Sequence, residues 1–262
     1  MKSPLTAAAY QMATSSDVRR NADKVLGAVD EAAEEGAELL VVPECALSGY
    51  LPSEDLDFDA LAEAQEEIVR HTAEAGIWLT LGTTRREGDD WWNTALLIAP
   101  DGRVAAQYDK THSTGGDNEV FRAGGDLPVF RDGEWTYGIQ ICFDMRFPEN
   151  WRILRRKGAE MIIHLSNASR SDAWKVPVLE GTVRARAAEN GMFVVSANDA
   201  HEPQMMVSAI LDPDGKDLAR APENEECIIY AELDREQVKE DFLNCRRTDL
   251  WRREENRSLL LD

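Results

Sequence analysis

The stretch Tyr137-Gly138-Ile139-Gln140-Ile141-Cys142-Phe143-Asp144-Met145-Arg146-Phe147-Pro148-Glu149 sets a cysteine between two kinds of sequence. Tyr137–Ile141 is apolar and β-prone, the pattern of a buried strand. From about Pro148 the sequence reads as helix. Cys142 therefore falls at a strand-to-helix turn, where a short side chain is presented beside free backbone N–H groups. Such donors lower a thiol's pKa and can hold an oxyanion. Cysteine is also among the most buried residue types and fills cores as a small apolar group. Two other segments decide between these roles.

In Val41-Val42-Pro43-Glu44-Cys45-Ala46-Leu47-Ser48-Gly49-Tyr50 a short apolar run, Leu39–Val42, reads as another strand. Proline cannot continue a ladder, so this strand ends at Pro43. Glu44 then stands at a strand's end, where a carboxylate can face a site rather than solvent. In the segment 107–125, Val104–Tyr108 reads as a strand ending at Asp109-Lys110. A Gly-rich loop follows, carrying Glu119 near Phe121 and Gly124-Gly125. Such a loop can fold back over a strand end.

Together these residues resemble the nitrilase superfamily, the carbon–nitrogen hydrolases. The resemblance rests on Pro43-Glu44, on Tyr108-Asp109-Lys110-Thr111-His112 and on Cys142-Phe143-Asp144-Met145-Arg146-Phe147-Pro148-Glu149. It runs over nearly the whole chain, from the strand ending at Gln11 through Ser48-Gly49-Tyr50 and Arg184–Asn190 to Ala231–Asp234. Each motif is modestly specific, and all of them in the right order make chance improbable. The resemblance implies a Glu44–Lys110–Cys142 triad. Amides are poor electrophiles, so their hydrolysis needs a strong nucleophile, an oxyanion site and a proton for the leaving amine. Cys142 would attack the carbonyl carbon, and Glu44 would move protons. Lys110 would stabilise the oxyanion together with the backbone N–H of Phe143. Glu119 matches the family's fourth polar residue and would hydrogen-bond Lys110 or the substrate amide. No metal or organic cofactor is implied.

Four histidines offer a rival, because Cys–His pairs are the commoner route to thiol catalysis. His112, two residues from Lys110, is the strongest. His164 ends a strand within His164-Leu165-Ser166-Asn167-Ala168-Ser169 and falls near the expected site, while His71 and His201 read as helix-face and loop residues. Asn167 and Trp174 lie between a strand end and the next helix and are pocket candidates, Trp174 equally a packing residue. Phe143-Asp144 after the nucleophile resembles the amidase-type branches. It implies hydrolysis of small aliphatic carboxamides, with an omega-amidase acting on amide-bearing 2-oxo acids, or a nitrilase, as alternatives. A non-catalytic interaction module of the same fold would be expected to have lost a triad residue, and none is missing.

The composition fits a soluble cytoplasmic enzyme. The chain has 262 residues and no Pro/Ser-rich linker, so a single domain over 1–262 is expected. No apolar run is long enough to span a bilayer, and the first residues lack a signal peptide's apolar core. Four cysteines without close pairing suggest neither a disulfide framework nor zinc. The net charge of −20 argues against nucleic acid and anionic membranes as partners. The acidic excess reads as solvated helix faces or as adaptation to salt. A small-molecule amide and a second copy of the chain are the expected partners.

The order of elements is mixed α and β. Strands are expected at Leu5–Gln11, Ala37–Val42, Ile77–Thr84, Thr94–Ala99, Val104–Tyr108, Met161–Leu165, Met192–Ala197, around Val207–Leu211 and at Cys227–Leu233. Helices are expected at Asp17–Glu35, Leu56–Ala75, from Pro148 to about Lys157 and at about Val176–Asn190. Both halves alternate strand and helix, which argues for α/β layers and hints at an internal repeat. The resemblance adds a four-layer αββα sandwich of two mixed sheets.

Overall fold

A computed structural model describes residues 4–52, 55–170 and 173–245, with 247, 249 and 253. Among these, twelve strands form two six-stranded sheets. The first half runs β1 (Leu5–Gln11), α1 (Val18–Glu34), β2 (Leu39–Val41), α2 (Phe58–Ala75), β3 (Trp78–Glu87), β4 (Asp90–Ile98) and β5 (Val104–Asp109). After a short α3 (Asp117–Val120) come β6 (Val129–Arg131), β7 (Thr136–Ile141), α4 (Pro148–Arg156), β8 (Met161–Ser166), α5 (Val176–Asn190) and β9 (Phe193–Asn198). The chain closes with β10 (Ala209–Leu211), β11 (Asp217–Arg220), β12 (Cys227–Leu233) and α6 (Asp241–Asn244).

The sheet orders are β12-β1-β2-β3-β4-β5 and β11-β10-β9-β8-β7-β6. Read from β12 and from β6, both follow one pattern: an antiparallel pair, two parallel pairs, then two antiparallel pairs. The internal repeat hinted at by the sequence is thus present in the pairing, with β12 returning from the chain's end to complete the first copy.

Residues alternate between the faces of a strand, and here both faces are covered. On β1, Ala7 and Ala9 join Leu39, Val41, Ile139, Ile141, Ile163, Leu165 and Val195 in the seam between the sheets. Ala8, Tyr10 and Met12 face the other way, toward Val25 and Val29 of α1 and Leu61 and Ile68 of α2. Trp151 and Leu154 of α4 and Leu179 and Val183 of α5 cover Ile162 and Val194 on the second sheet. Helix, sheet, sheet and helix make the four layers. Each Leu, Ile or Val buried in the seam contributes about 1.5–3 kcal/mol, which anchors the strands whose ends carry the site.

The helices follow their sequence signals. Asp17 caps α1 by accepting the Arg20 N–H, and Asp57 caps α2 through Asp59 and Ala60. Gly76 and Gly191 end α2 and α5 in the left-handed conformation. Arg184 pairs with Asp217 at 2.6 Å, and Arg186 donates to the Met145 carbonyl at 3.0 Å, tying α5 to its surroundings.

Candidate active site

The carboxyl ends of β2, β5, β7 and β8 come together at one edge of the seam, where open α/β sheets commonly place a site. Beyond β2, Pro43 stops the ladder and Glu44 opens a tight turn in which Cys45 has φ 51°. This turn lies flat against β3. A Cβ on Gly82 would stand 2.1 Å from the Pro43 carbonyl oxygen and 2.8 Å from the Cys45 nitrogen. Glycine at 82 is therefore what lets the Glu44 backbone reach its place.

Lys110 follows β5. Its N–H donates to the Asn93 carbonyl of β4 at 2.9 Å, and its own carbonyl accepts from Gly124 N–H at 2.8 Å. Thus the loop after α3 returns over the strand end, as its glycines suggested. Cys142 follows β7 and begins a 3-10 turn, Cys142–Arg146, with φ 45°. A non-glycine residue in that region is strained by about 1–3 kcal/mol and persists only where its surroundings hold it. Asp144, fully buried, supplies much of that hold. Its Oδ2 accepts from Ile141 N–H at 3.0 Å and Tyr108 OH at 2.7 Å. Its Oδ1 accepts from Thr111 OH at 3.0 Å and His112 N–H at 2.9 Å. One carboxylate thereby ties the segments on both sides of Lys110 to the strand end that carries Cys142.

The polar side chains close into a network. Lys110 Nζ donates to Glu44 Oε1 at 2.7 Å and to Asp117 Oδ2 at 2.6 Å. Asn93 Nδ2 also donates to Glu44 Oε1 at 2.7 Å, while Asn167 N–H donates to Glu44 Oε2 at 2.9 Å. Tyr50 OH donates to Asp117 Oδ1 at 2.7 Å. Glu44 is 0% and Lys110 1% exposed. Burial alone would push the lysine toward neutrality. The carboxylates of Glu44 and Asp117 override it and hold the ammonium charged, well above its ordinary pKa. Asp117 is likewise held below the usual aspartate range: burial opposes its charge, and Lys110 and Tyr50 outweigh burial.

The thiol departs from the sequence expectation. Beside free N–H groups it was expected to be acidic. Instead burial first, and then the Glu44 carboxylate, push it up to about 12, against the opposing pull of Lys110, Ser166 and the Asn167 N–H. At neutral pH the sulfur carries its proton, and Glu44 is the nearby acceptor able to take it.

The other expected residues divide. Asn167 joins the network, and its side chain donates to Thr14 Oγ1 at 3.3 Å. Phe143 lies half-buried with its ring edge-on to Phe147 at 5.6 Å. His112 stacks on Phe147 at 3.6 Å, and its Nδ1 lies 3.1 Å from Asp144 Oδ1. That engages the ring with Asp144 instead of the thiol. Glu119 is exposed, and Asp117, two residues earlier, takes the contact with Lys110 expected of it. The reason is local: Asp117 opens α3, anchored by Tyr50 and by Thr114 N–H at 3.0 Å, and Glu119 falls on the outer side of that single turn. Trp174 is 69% exposed, with the Lys175 ammonium 5.8 Å from its ring, and is not brought to the triad. Asp117, Asn93, Tyr50 and Thr14 are the site residues sequence reasoning missed. Of these only Tyr50 stood in a recognised motif.

A cavity of about 660 Å³ opens beside the triad, lined in part by Thr14, Ser15, Tyr50, Leu51 and Arg170. Glu44, Lys110 and Cys142 are not in its lining. Tyr50 and Thr14 join it to them, through Asp117 and Asn167. Among the described residues, no group of three or more His, Cys, Asp or Glu is placed to hold a metal ion, and no helix is long and apolar enough to cross a membrane.

Known proteins agree with this geometry. Residues 6–241 match the carbon–nitrogen hydrolase family. A hydrolase of Pseudomonas protegens is 36% identical over 90% of this chain and 86% of its own length. A nitrilase of Pyrococcus abyssi is 30% identical, covering 86% and 87%. An omega-amidase of Xenopus tropicalis is 27% identical, covering 91% and 93%. The crystal structure of an amidase from Nesterenkonia sp. superposes with a TM-score of 0.83 at 27% identity, over 96% of this chain and 97% of that one. The same amidase is known as a cysteine-to-alanine variant in complex with butyramide. A glutamate-to-glutamine variant of it shows covalent addition of the acetamide moiety of fluoroacetamide at the active-site cysteine. With its αββα layers, its buried glutamate and lysine and its half-buried cysteine at the strand ends, this chain is a carbon–nitrogen hydrolase of the nitrilase superfamily, amidase-like in its structural neighbours.

Proposed function

We propose that the protein hydrolyses small aliphatic carboxamides to carboxylic acid and ammonia through a thioester on Cys142. The observation that carries this reading is Glu44, bonded at once by Lys110, Asn93 and Asn167. Held by three donors beside a protonated thiol, it is a base that cannot turn away. Glu44 takes the Cys142 proton as sulfur attacks the carbonyl carbon. A C–S bond forms and the carbonyl becomes an oxyanion, met by Lys110 and Phe143 N–H. As the intermediate collapses, the C–N bond breaks and Glu44 returns the proton to the leaving ammonia. Water then adds to the thioester with Glu44 again as base, the C–S bond breaks, and the thiol is reprotonated. Asp117 holds Lys110 in place and shares its charge. Asn93 Nδ2 must face the Glu44 carboxylate, since that group only accepts. This leaves Asn93 Oδ1, buried and without a partner among the described residues, for the substrate's NH₂.

A second reading is favoured by the cavity. Arg170 lines it, and its residue lies three positions beyond Asn167. Three residues span at most about 10 Å. A carboxylate on the far end of an amide could therefore reach a cation while its amide reaches Cys142, as an omega-amidase substrate would require. Ammonia release from propionamide, butyramide, a dicarboxylic monoamide and a simple nitrile separates these. The first reading expects the monocarboxamides to have the highest kcat/KM. Preference for the monoamide that is lost in Arg170→Ala would favour the second, and release from the nitrile alone would refute both.

We also propose that two copies pair through the outer faces of α4 and α5. Ile153 on α4, the helix that follows the nucleophile's turn, and Val178 on α5 are exposed.

A further inference from the structure

We propose that His164 is a positioning residue: by holding the carbonyl of Cys142 it aims the N–H of Phe143 at the oxyanion. This rests on the proposed role of that N–H. His164 is fully buried on β8, in register with Gln140 of β7, two residues before the nucleophile. Its Nε2 lies 3.3 Å from the Cys142 carbonyl oxygen and its Nδ1 lies 2.9 Å from Ser196 Oγ. A carbonyl oxygen only accepts, so Nε2 carries the hydrogen. Nδ1 then presents a lone pair, and the Ser196 hydroxyl donates to it. One neutral tautomer satisfies both contacts. Burial keeps the ring in that form by pushing its pKa down to about 4.

The peptide linking Cys142 to Phe143 is planar and trans, so its C=O and N–H point in opposite directions. Fixing the carbonyl fixes the N–H. The Cys142 backbone needs such a hold, because φ 45° is not a conformation the residue keeps unaided. Asp144 restrains the residue before it through Ile141 N–H, and His164 restrains the nucleophile's own carbonyl. Trp151 closes the far side: its ring lies 6.0 Å from the imidazole, and its indole N–H donates to the Asp144 carbonyl at 3.3 Å. The histidine is thus engaged with the nucleophile's backbone, and acts on the reaction through it.

Two reagents separate aim from reactivity. 4-Nitrophenyl acetate acylates the thiol through an oxyanion: the C–S bond forms, the C–O bond breaks, 4-nitrophenolate leaves, and Glu44 takes the thiol proton. Iodoacetamide alkylates the same sulfur by displacing iodide and forms no oxyanion. In His164→Leu the nitrophenolate burst should slow by about 10- to 100-fold, less than the roughly 10²–10³ of removing an oxyanion donor outright because the N–H is misaimed rather than lost, while alkylation is nearly unchanged. His164→Gln, whose side-chain N–H can still reach the carbonyl, should recover most of the burst rate. An unchanged burst in His164→Leu, or equal slowing of burst and alkylation, would overturn the proposal. Should His164→Leu fail to fold, Ser196→Ala removes the hydroxyl that selects the tautomer. It should slow the burst alone, and an unaffected burst there counts equally against the idea. A wild-type enzyme that gives the burst yet releases ammonia from no amide refutes the amidase reading and leaves this one standing.

Discussion

Lys110 Nζ and Glu44 Oε1 lie 2.7 Å apart with both side chains shut away from water. Removing one partner of such a pair strands the other's charge, which costs about 3–5 kcal/mol. Lys110→Met should lose about that much in urea unfolding and at least about 10²-fold in turnover. Adding Glu44→Gln to it should restore part of the stability and none of the activity. A Lys110→Met protein as stable as the parent would show that the charges are not coupled as drawn.

Glu44→Gln keeps the shape of the site and removes its base. Amide turnover should fall by about 10²–10⁴. Because the Glu44 carboxylate helps to raise the thiol's pKa, the variant's Cys142 should react with iodoacetamide at mildly alkaline pH at least as fast as the parent's. Slower alkylation would mean that Glu44 activates the resting thiol rather than accepting its proton during attack.

Asp117 and Glu119 make opposite predictions two residues apart. Asp117→Ala leaves Lys110 with one carboxylate and Tyr50 without its acceptor, so kcat should drop sharply. Glu119→Ala, on the exposed side of the turn, should stay within about 0.5 kcal/mol in stability and keep full activity. A reversed outcome in an ammonia-release assay would return the role to Glu119.

His164 also gives the fold an acid-sensitive window. Its pKa is lowered from 6.5 to about 4, so between these values the unfolded chain binds a proton that the folded chain refuses. Its contribution is fully present above about pH 6.5 and declines as pH falls toward 4, by on the order of 3 kcal/mol. Asp117 and Asp199, both held below the usual aspartate range, add a further loss at more acid pH. Denaturant titrations from neutral to acid pH should show the first decline flattened in His164→Gln. An equal slope in both proteins would refute this assignment.

At −20 per chain two copies repel at low ionic strength, and salt screens charges more than about 10 Å apart at 0.1 M. Light scattering should report a dimer that persists as NaCl rises, with a melting temperature that holds or increases. Ile153→Asp or Val178→Asp should weaken it. A monomer at every salt concentration would refute the pairing.

The candidate site was legible because Glu44, Lys110 and Cys142 each stand in a short motif at a strand's end. Helices α1 and α2 were legible because their caps and periodicity lie within the segment itself, and α4 and α5 because a proline stands in the first turn of each. What stayed hidden depends on distant partners. Nothing between Thr111 and Phe121 tells which of two acidic residues turns inward; Tyr50, far back in the chain, settles it. Asn93 lies just beyond a polar run, Arg85–Asp90, that broke the apolar pattern and left β3 and β4 shorter in the reading than they are. There the hairpin is held by stacking, with Arg85 over Trp92 at 4.0 Å and Arg86 over Phe58 at 4.1 Å. Strands β6 and β11 have three and four residues, mostly part-exposed or exposed, too few to display an alternation. The thiol's raised pKa escaped for a related reason: free N–H groups are a local feature, whereas the burial and the carboxylate that outweigh them come from other strands.

The pairing of one buried ammonium with two carboxylates bears on how a catalytic cycle ends. Glu44 and Asp117 take two of the three Lys110 N–H donors and together outweigh its single charge, so the cluster holds one negative charge in excess. A neutral amide approaches it without penalty. Hydrolysis turns that guest into an acid, and once the acid loses its proton it becomes an anion facing like charge in a site shielded from solvent. On the proposed mechanism the geometry that assembles base and oxyanion donor should therefore also expel the product, and the enzyme should tolerate accumulated carboxylate far better than accumulated substrate analogues that remain uncharged.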